Sequence, residues 1–305
     1  SADVNNYFGF HQSLFPQVQT LFAPHGLLKE TVATRLSLKK GIPVTYKAGD
    51  QLNNALSLNV LQPGEVAATA GTSGVIYGVS NQLEYDQQSR INSFAHVNYK
   101  ADEARIGILL CINGAGIFNR WVKNLIGANR SYATLNEAAA KVSPGSNGLL
   151  ALPFGNGAER MLNNRQVGAH FQNLDFNIHT DAHLVRAAQE GVAFAFRYGL
   201  DIMRENGMHP SIIRAGRANL FLSDVFIQSF VNATQTAIEF YEGDGSSGAA
   251  LGAGIGAGIY ANTTEAFSNR KSVDCIEPEE DNNCEAQYRQ WKIFLNEKLN
   301  IEQTH

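Results

Sequence analysis

The chain has 305 residues, of which 44% are hydrophobic and 17% charged, a composition typical of a globular protein with buried cores. Its 24 basic and 28 acidic side chains give a net charge of −4. The absence of a basic block disfavours nucleic-acid binding, because that affinity comes largely from clustered lysine and arginine. Three cysteines exclude a disulfide scaffold, and no apolar stretch reaches the ~18 residues of a membrane span. We therefore expect a cytoplasmic α/β protein that binds neither nucleic acid nor membrane.

The first half of the chain is predicted to combine short helices with strands. In chain order the predicted elements are a helix at 27–38, a strand at 42–48, a helix at 53–61, strands at 65–70 and 75–79, a strand at 106–112, a helix at 114–126 and a strand at 149–154. The strands at 65–70 and 75–79 flank a turn of small residues, which predicts a hairpin. The strand at 106–112 is almost continuously apolar, as expected of a strand covered on both faces.

The second half alternates strands with helices, which predicts a sheet with helices packed on its faces. The strongest helix is 181–206, where apolar residues recur with a 3.6-residue period between Thr180 as N-cap and Gly207 as the stop. Arg186 and Glu190 on this helix have the i to i+4 spacing of an ion pair. The remaining elements are a strand at 211–214, a helix at 220–233, a strand at 237–241, a helix at 247–260, an acidic loop at 263–285 and a closing helix at 287–300.

A loop of small residues and a nearby carboxylate are candidates for a functional site. Gly71-Thr72-Ser73-Gly74 offers backbone N–H groups and two hydroxyls, and its glycines have no Cβ to keep a phosphate away. Asp50 directly follows the predicted strand 42–48, where a carboxylate can act as a general base or only cap the next helix. Neither feature alone is specific, because small turns and capping carboxylates are common.

Two other motifs suggest different chemistry. Residues 243–248, GDGSSG, match the dinucleotide-binding fingerprint, but no second strand with an acidic residue follows. We interpret this segment as a turn and a helix whose glycines allow close packing. His179 and His183 are four residues apart, a spacing that can bind zinc from one helix face. Thr180 as N-cap would leave His179 outside the helix, so we expect no metal site there.

The segment with Asp50 and the GTSG turn is followed by two further blocks, HLVRAAQEG at 183–191 and RAGRAN at 214–219. In this order the three blocks resemble the FGGY family of carbohydrate kinases, and within it most closely the xylulokinases. Residues 44–80 contain G-D-Q, a helix with small residues, P-G and the GTSG hairpin. The second block, 169–191, ends in HLVRAAQEG and departs from the family pattern at Asn173, usually glycine, and at Gln189, usually aliphatic. The third, RAGRAN at 214–219, lacks two of the usual glycines. The resemblance covers residues 41–300.

This resemblance implies an α/β fold of the ribonuclease-H-like type, a mixed sheet flanked by helices as in the lobes of actin and hexokinase. Kinases of this family hold ATP and sugar between two lobes, and the first lobe opens with a D-x-G-T phosphate loop that this sequence does not contain. We therefore expect the C-terminal part of such an enzyme. Residues 1–62 would be the end of the sugar-binding lobe, and residues 63–305 would be the nucleotide-binding lobe.

The resemblance also implies an activity and a set of site residues. The implied reaction is ATP-dependent phosphorylation of a ketopentose with Mg²⁺, foremost D-xylulose to D-xylulose 5-phosphate. Asp50 matches the aspartate that accepts the proton of the attacking sugar hydroxyl, and no protein metal ligand is assigned. The implied phosphate-binding residues are Gly71, Thr72 and Ser73, and the implied adenosine-binding residues are Gly114, Gly116, Ala215, Gly216 and Asn219.

Several alternatives stay open from the sequence. A kinase of ribulose, glycerol or gluconate would share these motifs, because most sugar contacts belong to the first lobe. A nucleotide-binding protein without catalysis would keep the fold but would not need Asp50, and an oxidoreductase could be built on residues 243–248. The oligomeric state is undecided, with a homodimer as one option. Without its missing lobe as a partner, the chain is expected to be inactive alone.

Overall fold

The computed structural model describes residues 2–127, 129–280 and 283–301. Two compact units are distinguished: Ser1–Ala48 together with Ala249–Ser268, and Gly49–Gly248 together with Asn269–His305. The domain boundary predicted between residues 62 and 63 is a different division of the chain and stays a prediction. Within the described residues, no helix combines the length and the apolar character that crossing a bilayer requires.

The described residues form the following strands and helices. The strands are β1 (Phe22–Leu27), β2 (Pro43–Tyr46), β3 (Glu65–Ala70), β4 (Gly74–Ser80), β5 (Asn92–Ala95), β6 (Ile106–Ile112), β7 (Leu150–Phe154), β8 (Gly168–Gln172), β9 (Ile212–Gly216), β10 (Ile238–Tyr241) and β11 (Asp274–Ile276). The helices are α1 (Ala2–Tyr7), α2 (Glu30–Arg35), α3 (Asp50–Ser57), α4 (Gly116–Gly127), α5 (Tyr132–Ala140), α6 (Asp181–Glu205), α7 (Asp224–Thr234), α8 (Gly245–Gly256), α9 (Thr263–Phe267) and α10 (Cys284–Ile301).

The larger unit is built on a mixed sheet of seven strands in the order β11-β10-β9-β3-β4-β6-β5. Strand β9 runs parallel to both β3 and β10, whereas β3–β4, β4–β6, β5–β6 and β10–β11 are antiparallel pairs. The strands β3, β4, β6, β9 and β10, taken in chain order, lie in the spatial order 3-2-1-4-5 of a ribonuclease-H-like sheet. The predicted fold class, a mixed sheet flanked by helices, is confirmed.

Strand β6 shows how the apolar pattern produces this sheet. Side chains alternate between the two faces of a strand. Ile106, Ile108, Leu110 and Ile112 enter the main core, which includes α6 and α7, and Leu109 packs on a smaller cluster on the other face. The predicted burial is therefore complete on the core face only, because on the other face Leu109 is half-buried and Cys111 is exposed. The β3–β4 hairpin is confirmed, with Ala70 opposite Gly74.

Helix α6 is the central helix of the core and follows its sequence signals closely. Thr180 is the N-cap and forms a capping box with His183, and Gly207 takes the left-handed conformation just after the helix, with φ of 79°. The predicted ion pair is present, since Arg186 Nε donates to Glu190 Oε1 at 2.8 Å, and both side chains are buried. The whole middle of α6 is buried, so its structural role is confirmed.

The smaller unit packs helix α8 against strand β2. Thr45 Oγ1 donates to the carbonyl oxygen of Ala253 at 2.8 Å. A Cβ added at Gly256 would lie 2.1 Å from the carbonyl oxygen of Thr45, and one at Gly252 would lie 2.6 Å from the ring of Tyr46. The interpretation of these glycines as close-packing residues is therefore confirmed.

Several predicted boundaries were wrong. The segment 263–285 is not a continuous loop, because it contains α9 and the edge strand β11, which pairs with β10. A three-residue strand has too little sequence pattern to be seen before its partner is known. The predicted helix 53–61 begins earlier, at Asp50. The predicted helix 220–233 is a 3₁₀ turn, Asn219–Leu222, followed by α7 with Ser223 as its N-cap. The predicted helix 27–38 is limited to α2.

The first testable prediction concerns a buried histidine beneath the sheet. His96 Nδ1 accepts from the Tyr77 hydroxyl at 2.7 Å, and Nε2 donates to the carbonyl oxygen of Val60 at 3.0 Å. Burial, with a smaller contribution from the charge of Arg105, lowers the pKa of His96 to about 4. The unfolded chain therefore binds a proton below its ordinary pKa of about 6.5, before the folded chain does, and stability falls as pH drops from 6.5 to 4.

We expect this histidine to account for about 3 kcal/mol of lost unfolding free energy at pH 4, from ~1.4 kcal/mol per pKa unit. His96→Gln replaces the imidazole by an amide, which can still donate and accept hydrogen bonds but does not titrate in this range. The urea midpoints of wild type and variant, measured from pH 7 to pH 4, should converge as the pH falls. A wild-type advantage that stays constant over this range would contradict the prediction.

Candidate functional site

The turn between β3 and β4 is attached to the start of helix α4. The N–H of Gly116 donates to the carbonyl oxygen of Gly71 at 2.9 Å, and the N–H of Ile117 donates to that of Thr72 at 3.0 Å. The first N–H groups of a helix have no acceptor within the helix. In α4, two of them are satisfied by carbonyl oxygens of the β3–β4 hairpin turn. Both carbonyls are therefore engaged by the helix.

Glycine is required at this contact for steric reasons. A Cβ on Gly116 would lie 2.2 Å from the carbonyl oxygen of Gly71, and one on Gly74 would lie 2.7 Å from the ring of Phe196. Gly71 itself is less restricted, since the nearest atoms to its Cβ position are 3.7 Å away. The small residues of the loop thus serve two separate purposes, close packing at Gly116 and Gly74 and an open surface at Gly71.

A cavity of about 360 Å³ lies beside this turn. It is lined by the turn, by α4 and α5, by the 3₁₀ turn Asn219–Leu222 and by Ser223. Four residues predicted from the sequence line it together: Gly71, Thr72, Gly116 and Asn219. The described lining does not include Ser73, Gly114, Ala215 or Gly216.

Strand β9 brings Asn219 to this cavity. Ala215 is fully buried in the strand, and the carbonyl oxygen of Gly216 accepts from the N–H of Ala218 at 2.9 Å, which turns the chain away from the sheet. Asn219 then takes a left-handed conformation, with φ of 56°, a conformation that asparagine tolerates better than most residues. The Cβ position of Gly71 lies 3.7 Å from Asn219 Nδ2, so these two predicted residues are neighbours.

Gly114 is placed in the connection between β6 and α4, where it is held by a carboxylate that sequence reasoning missed. The N–H groups of Asn113 and Gly114 donate to the two carboxylate oxygens of Glu159, at 3.0 and 3.1 Å. A Cβ on Gly114 would lie 1.8 Å from the carbonyl oxygen of Pro153. Burial raises the pKa of Glu159 to about 7. The one sequence signal was a lone glutamate just ahead of the apolar pair Met161 and Leu162.

Asp50 is the first residue of α3, after the N-cap Gly49. Its side chain is exposed, and Oδ1 accepts from the N–H of Gln51 at 2.8 Å. Burial is the main factor that raises the pKa of the Cys111 thiol, and the charges of Arg160, Glu159 and Asp50 also act on it.

The two competing motifs form local structure. Asp244 Oδ1 accepts from the N–H groups of Ser246 and Ser247, at 2.9 and 3.3 Å, so a carboxylate already occupies the start of α8 where a dinucleotide would place its pyrophosphate. His179 lies outside α6 as predicted, and its Nδ1 accepts from the N–H of Asp175 at 2.9 Å. Across the described part of the chain, no group of three His, Cys, Asp or Glu side chains is arranged to hold a metal ion.

The contact between the turn and α4 yields a second prediction, on stability. Gly116→Ala should destabilise the protein by roughly 1–3 kcal/mol, the usual cost of forcing an extra methyl into a packed contact. Gly71→Ala is the matched control, because it has room and no left-handed backbone; it should leave stability unchanged or slightly higher. Thermal unfolding of both variants tests this, and equal stability of the two would contradict the steric argument.

The sequence of this chain is similar to those of known proteins. The FGGY family of carbohydrate kinases, C-terminal domain, matches residues 66–261. The xylulose kinase of Haemophilus influenzae is 29% identical over 189 residues, which are 62% of this chain and 37% of that protein. The xylulose kinase of Bacillus subtilis is 25% identical over 254 residues, 83% of this chain and 49% of that protein. Gluconokinases are also among the relatives. The chain thus spans at most about half the length of these two xylulose kinases.

Solved structures share the fold. The crystal structure of Plasmodium falciparum glycerol kinase with ADP superposes with a TM-score of 0.84 at 19% identity, covering 97% of this chain and 59% of that one. Solved xylulose kinases superpose comparably, which confirms the prediction of an actin- and hexokinase-type lobe. Since the family match covers more than half of the chain, this protein belongs to the FGGY family of carbohydrate kinases, whose C-terminal domain it contains.

Proposed function

We propose that this chain is the nucleotide-binding part of an ATP-dependent sugar kinase, with D-xylulose as the first candidate substrate and D-xylulose 5-phosphate as its product. The observation that carries the proposal is the cavity beside the GTSG turn, in which Gly71, Thr72, Gly116 and Asn219 meet. Family membership supports the reaction type, and the xylulose kinases among its relatives support the sugar.

The turn is suited to the terminal phosphates of ATP. The carbonyls of Gly71 and Thr72 are engaged by α4, and we expect the N–H groups of the turn and the hydroxyls of Thr72 and Ser73 to bind the anion. Arg120 also lines the cavity and adds a positive charge to it. Preorganised donors stabilise the charge of a phosphoryl group during transfer without reorganising at the moment of reaction.

The adenosine would occupy the cavity between α4 and the 3₁₀ turn Asn219–Leu222. Gly116 forms the wall nearest to the phosphates, and Asn219 offers an amide next to Gly71. Ala215 and Gly216 would act by directing the chain from β9 to Asn219, and Gly114 by setting the start of α4. These three predicted residues would then support the adenosine site from outside the cavity wall.

Asp50 is the proposed general base. It would accept the proton of the attacking sugar hydroxyl while the oxygen forms a bond to the γ-phosphorus, and the bond between that phosphorus and ADP breaks. Its carboxylate is exposed at the start of α3 and bonded only locally to Gln51 among the described contacts, so it is free to approach a substrate.

Mg²⁺ would enter with the nucleotide. In kinase sites this ion is commonly held by substrate phosphates, waters and one or two carboxylates rather than by a cage of protein ligands. We assign no protein ligand to the ion, which leaves the Asp50 carboxylate to the attacking sugar hydroxyl. The bound ion would neutralise charge on the transferred phosphoryl group.

The identity of the sugar depends on the segments of the relatives that lie outside the region similar to this chain. We propose that those parts bring most sugar contacts and that residues 1–62 belong with them, so that this chain alone binds nucleotide without turnover. Gluconate is the second candidate, because gluconokinases are also among the relatives.

The cysteines at 111, 275 and 284 are free thiols, which suits a reaction in the reducing cytoplasm.

A third prediction tests the phosphate role of the turn. Thr72→Val keeps the β-branched shape and deletes the hydroxyl, so affinity for Mg-ADP and Mg-ATP should fall on the order of tenfold to a hundredfold, the effect of one hydrogen bond to a charged group. Isothermal titration calorimetry measures this, and thermal unfolding should hardly change. Thr34→Val on the exposed face of α2 is the matched control, and equal nucleotide affinity of both variants would rule out the phosphate role.

A fourth prediction tests the general base. Asp50→Asn in the complete kinase should lower the turnover number by about 10²–10⁴-fold, the usual contribution of general-base catalysis, with little change in ATP affinity. A coupled assay for ADP with D-xylulose, D-gluconate or glycerol as acceptor measures it and ranks the sugars. Near-normal turnover of the variant with the best acceptor would remove Asp50 from the mechanism.

A further inference from the structure

A chain of buried amide and hydroxyl groups runs behind the cavity. Gln189 on α6 is fully buried. Its Oε1 accepts from the Ser223 hydroxyl at 2.8 Å, and its Nε2 donates to Asn136 Oδ1 at 2.9 Å. Ser223 and Asn136 both line the cavity, whereas Gln189 does not. Gln189 therefore connects two walls of the cavity from the inside of the protein.

The direction of these hydrogen bonds follows from Ser223. As the N-cap of α7, Ser223 Oγ accepts from the N–H of Phe226 at 3.4 Å. Its hydroxyl hydrogen is buried and needs an acceptor, which Gln189 Oε1 provides. The amide of Gln189 is thereby oriented with its nitrogen toward α5, where it can only meet an acceptor, the Oδ1 of Asn136.

The orientation of Asn136 follows in turn. With Oδ1 engaged by Gln189, the amide nitrogen of Asn136 is the polar group that remains for the cavity. Among the described residues, none accepts a hydrogen bond from this nitrogen. A half-buried amide on α5 thus presents two N–H donors to whatever fills the cavity.

We propose that Gln189 is a positioning residue that holds the Asn136 amide with its nitrogen toward the bound nucleotide, where it donates to an acceptor atom of the nucleoside. The inference rests on the proposed function, since it assumes that the cavity binds the nucleoside of ADP or ATP. Adenine ring nitrogens and ribose oxygens are the acceptors of this class. Gln189 touches no ligand itself and acts through Asn136.

The test is isothermal titration calorimetry of ADP binding to the 305-residue chain and its variants. Gln189→Leu releases the Asn136 amide, and Asn136→Ala removes it, so each should weaken ADP binding about two- to tenfold, as expected for one hydrogen bond. The double variant should bind no more weakly than Asn136→Ala alone, because both changes remove the same contact. Gln228→Leu on α7, a matched change outside the cavity lining, should leave ADP affinity unchanged.

Asn136→Asp separates a donor role from a purely structural one. Aspartate still accepts from Gln189 Nε2, so the temperature of thermal unfolding should stay close to that of wild type. Its second carboxylate oxygen, however, lies where the N–H donors of Asn136 were. ADP should bind more weakly to this variant than to Asn136→Ala. If Gln189→Leu fails to fold, Gln189→Glu replaces it, because glutamate still accepts from the Ser223 hydroxyl but cannot donate to Asn136 Oδ1, and it should also weaken ADP binding.

The outcomes distinguish a failure of the proposed function from a failure of the positioning role of Gln189. Wild-type chain that does not bind ADP overturns the proposed function, and this inference with it. If the wild-type chain binds ADP but the affinity losses of the Gln189 and Asn136 variants are additive, the positioning role alone is overturned. The same holds if Asn136→Asp binds ADP as tightly as wild type. Coupled losses with weakened binding by Asn136→Asp support it.

Discussion

The attachment of one tight turn to one helix is the constraint on which the rest of the site depends. The carbonyl oxygens of Gly71 and Thr72 accept from the first N–H groups of α4, and this pairing is close enough that only glycine fits at position 116. The carbonyl oxygens of Gly71 and Thr72 are thereby satisfied by the helix. The same contact therefore joins two strands of the sheet to a helix at the wall of the cavity.

Helix α6 supports this arrangement from within the core. Its buried polar residues are satisfied by specific partners, as buried polar groups must be if they are not to cost stability. Glu190 accepts from the N–H of Gly145 at 2.8 Å and from the Ser146 hydroxyl at 2.8 Å in addition to Arg186. Gln189, one residue earlier, faces the cavity wall instead. One helix thus fixes both a distant loop and the amide orientation at the candidate site.

Sequence reasoning was most successful where a local rule and a long element coincided. The N-cap and stop of α6, the strand β6 and the β3–β4 hairpin were predicted correctly, because periodicity and capping depend on near neighbours in the chain. It failed for the edge strand β11 and for the short strands β5 and β8, which were not predicted. A strand of three to five residues depends on its partner strand more than on its own pattern.

The sequence by itself determined the fold class, the family and the two loops with the strongest small-residue signals, since these depend on composition, periodicity and motifs that survive without coordinates. Only the tertiary structure decided which of the predicted residues meet. It brought Gly71, Thr72, Gly116 and Asn219 to one cavity and placed Gly114 behind it on Glu159. It also connected Gln189 to Asn136 across 53 residues of sequence. Such contacts join residues far apart in the chain, and their geometry depends on the packing of the whole sheet and its helices.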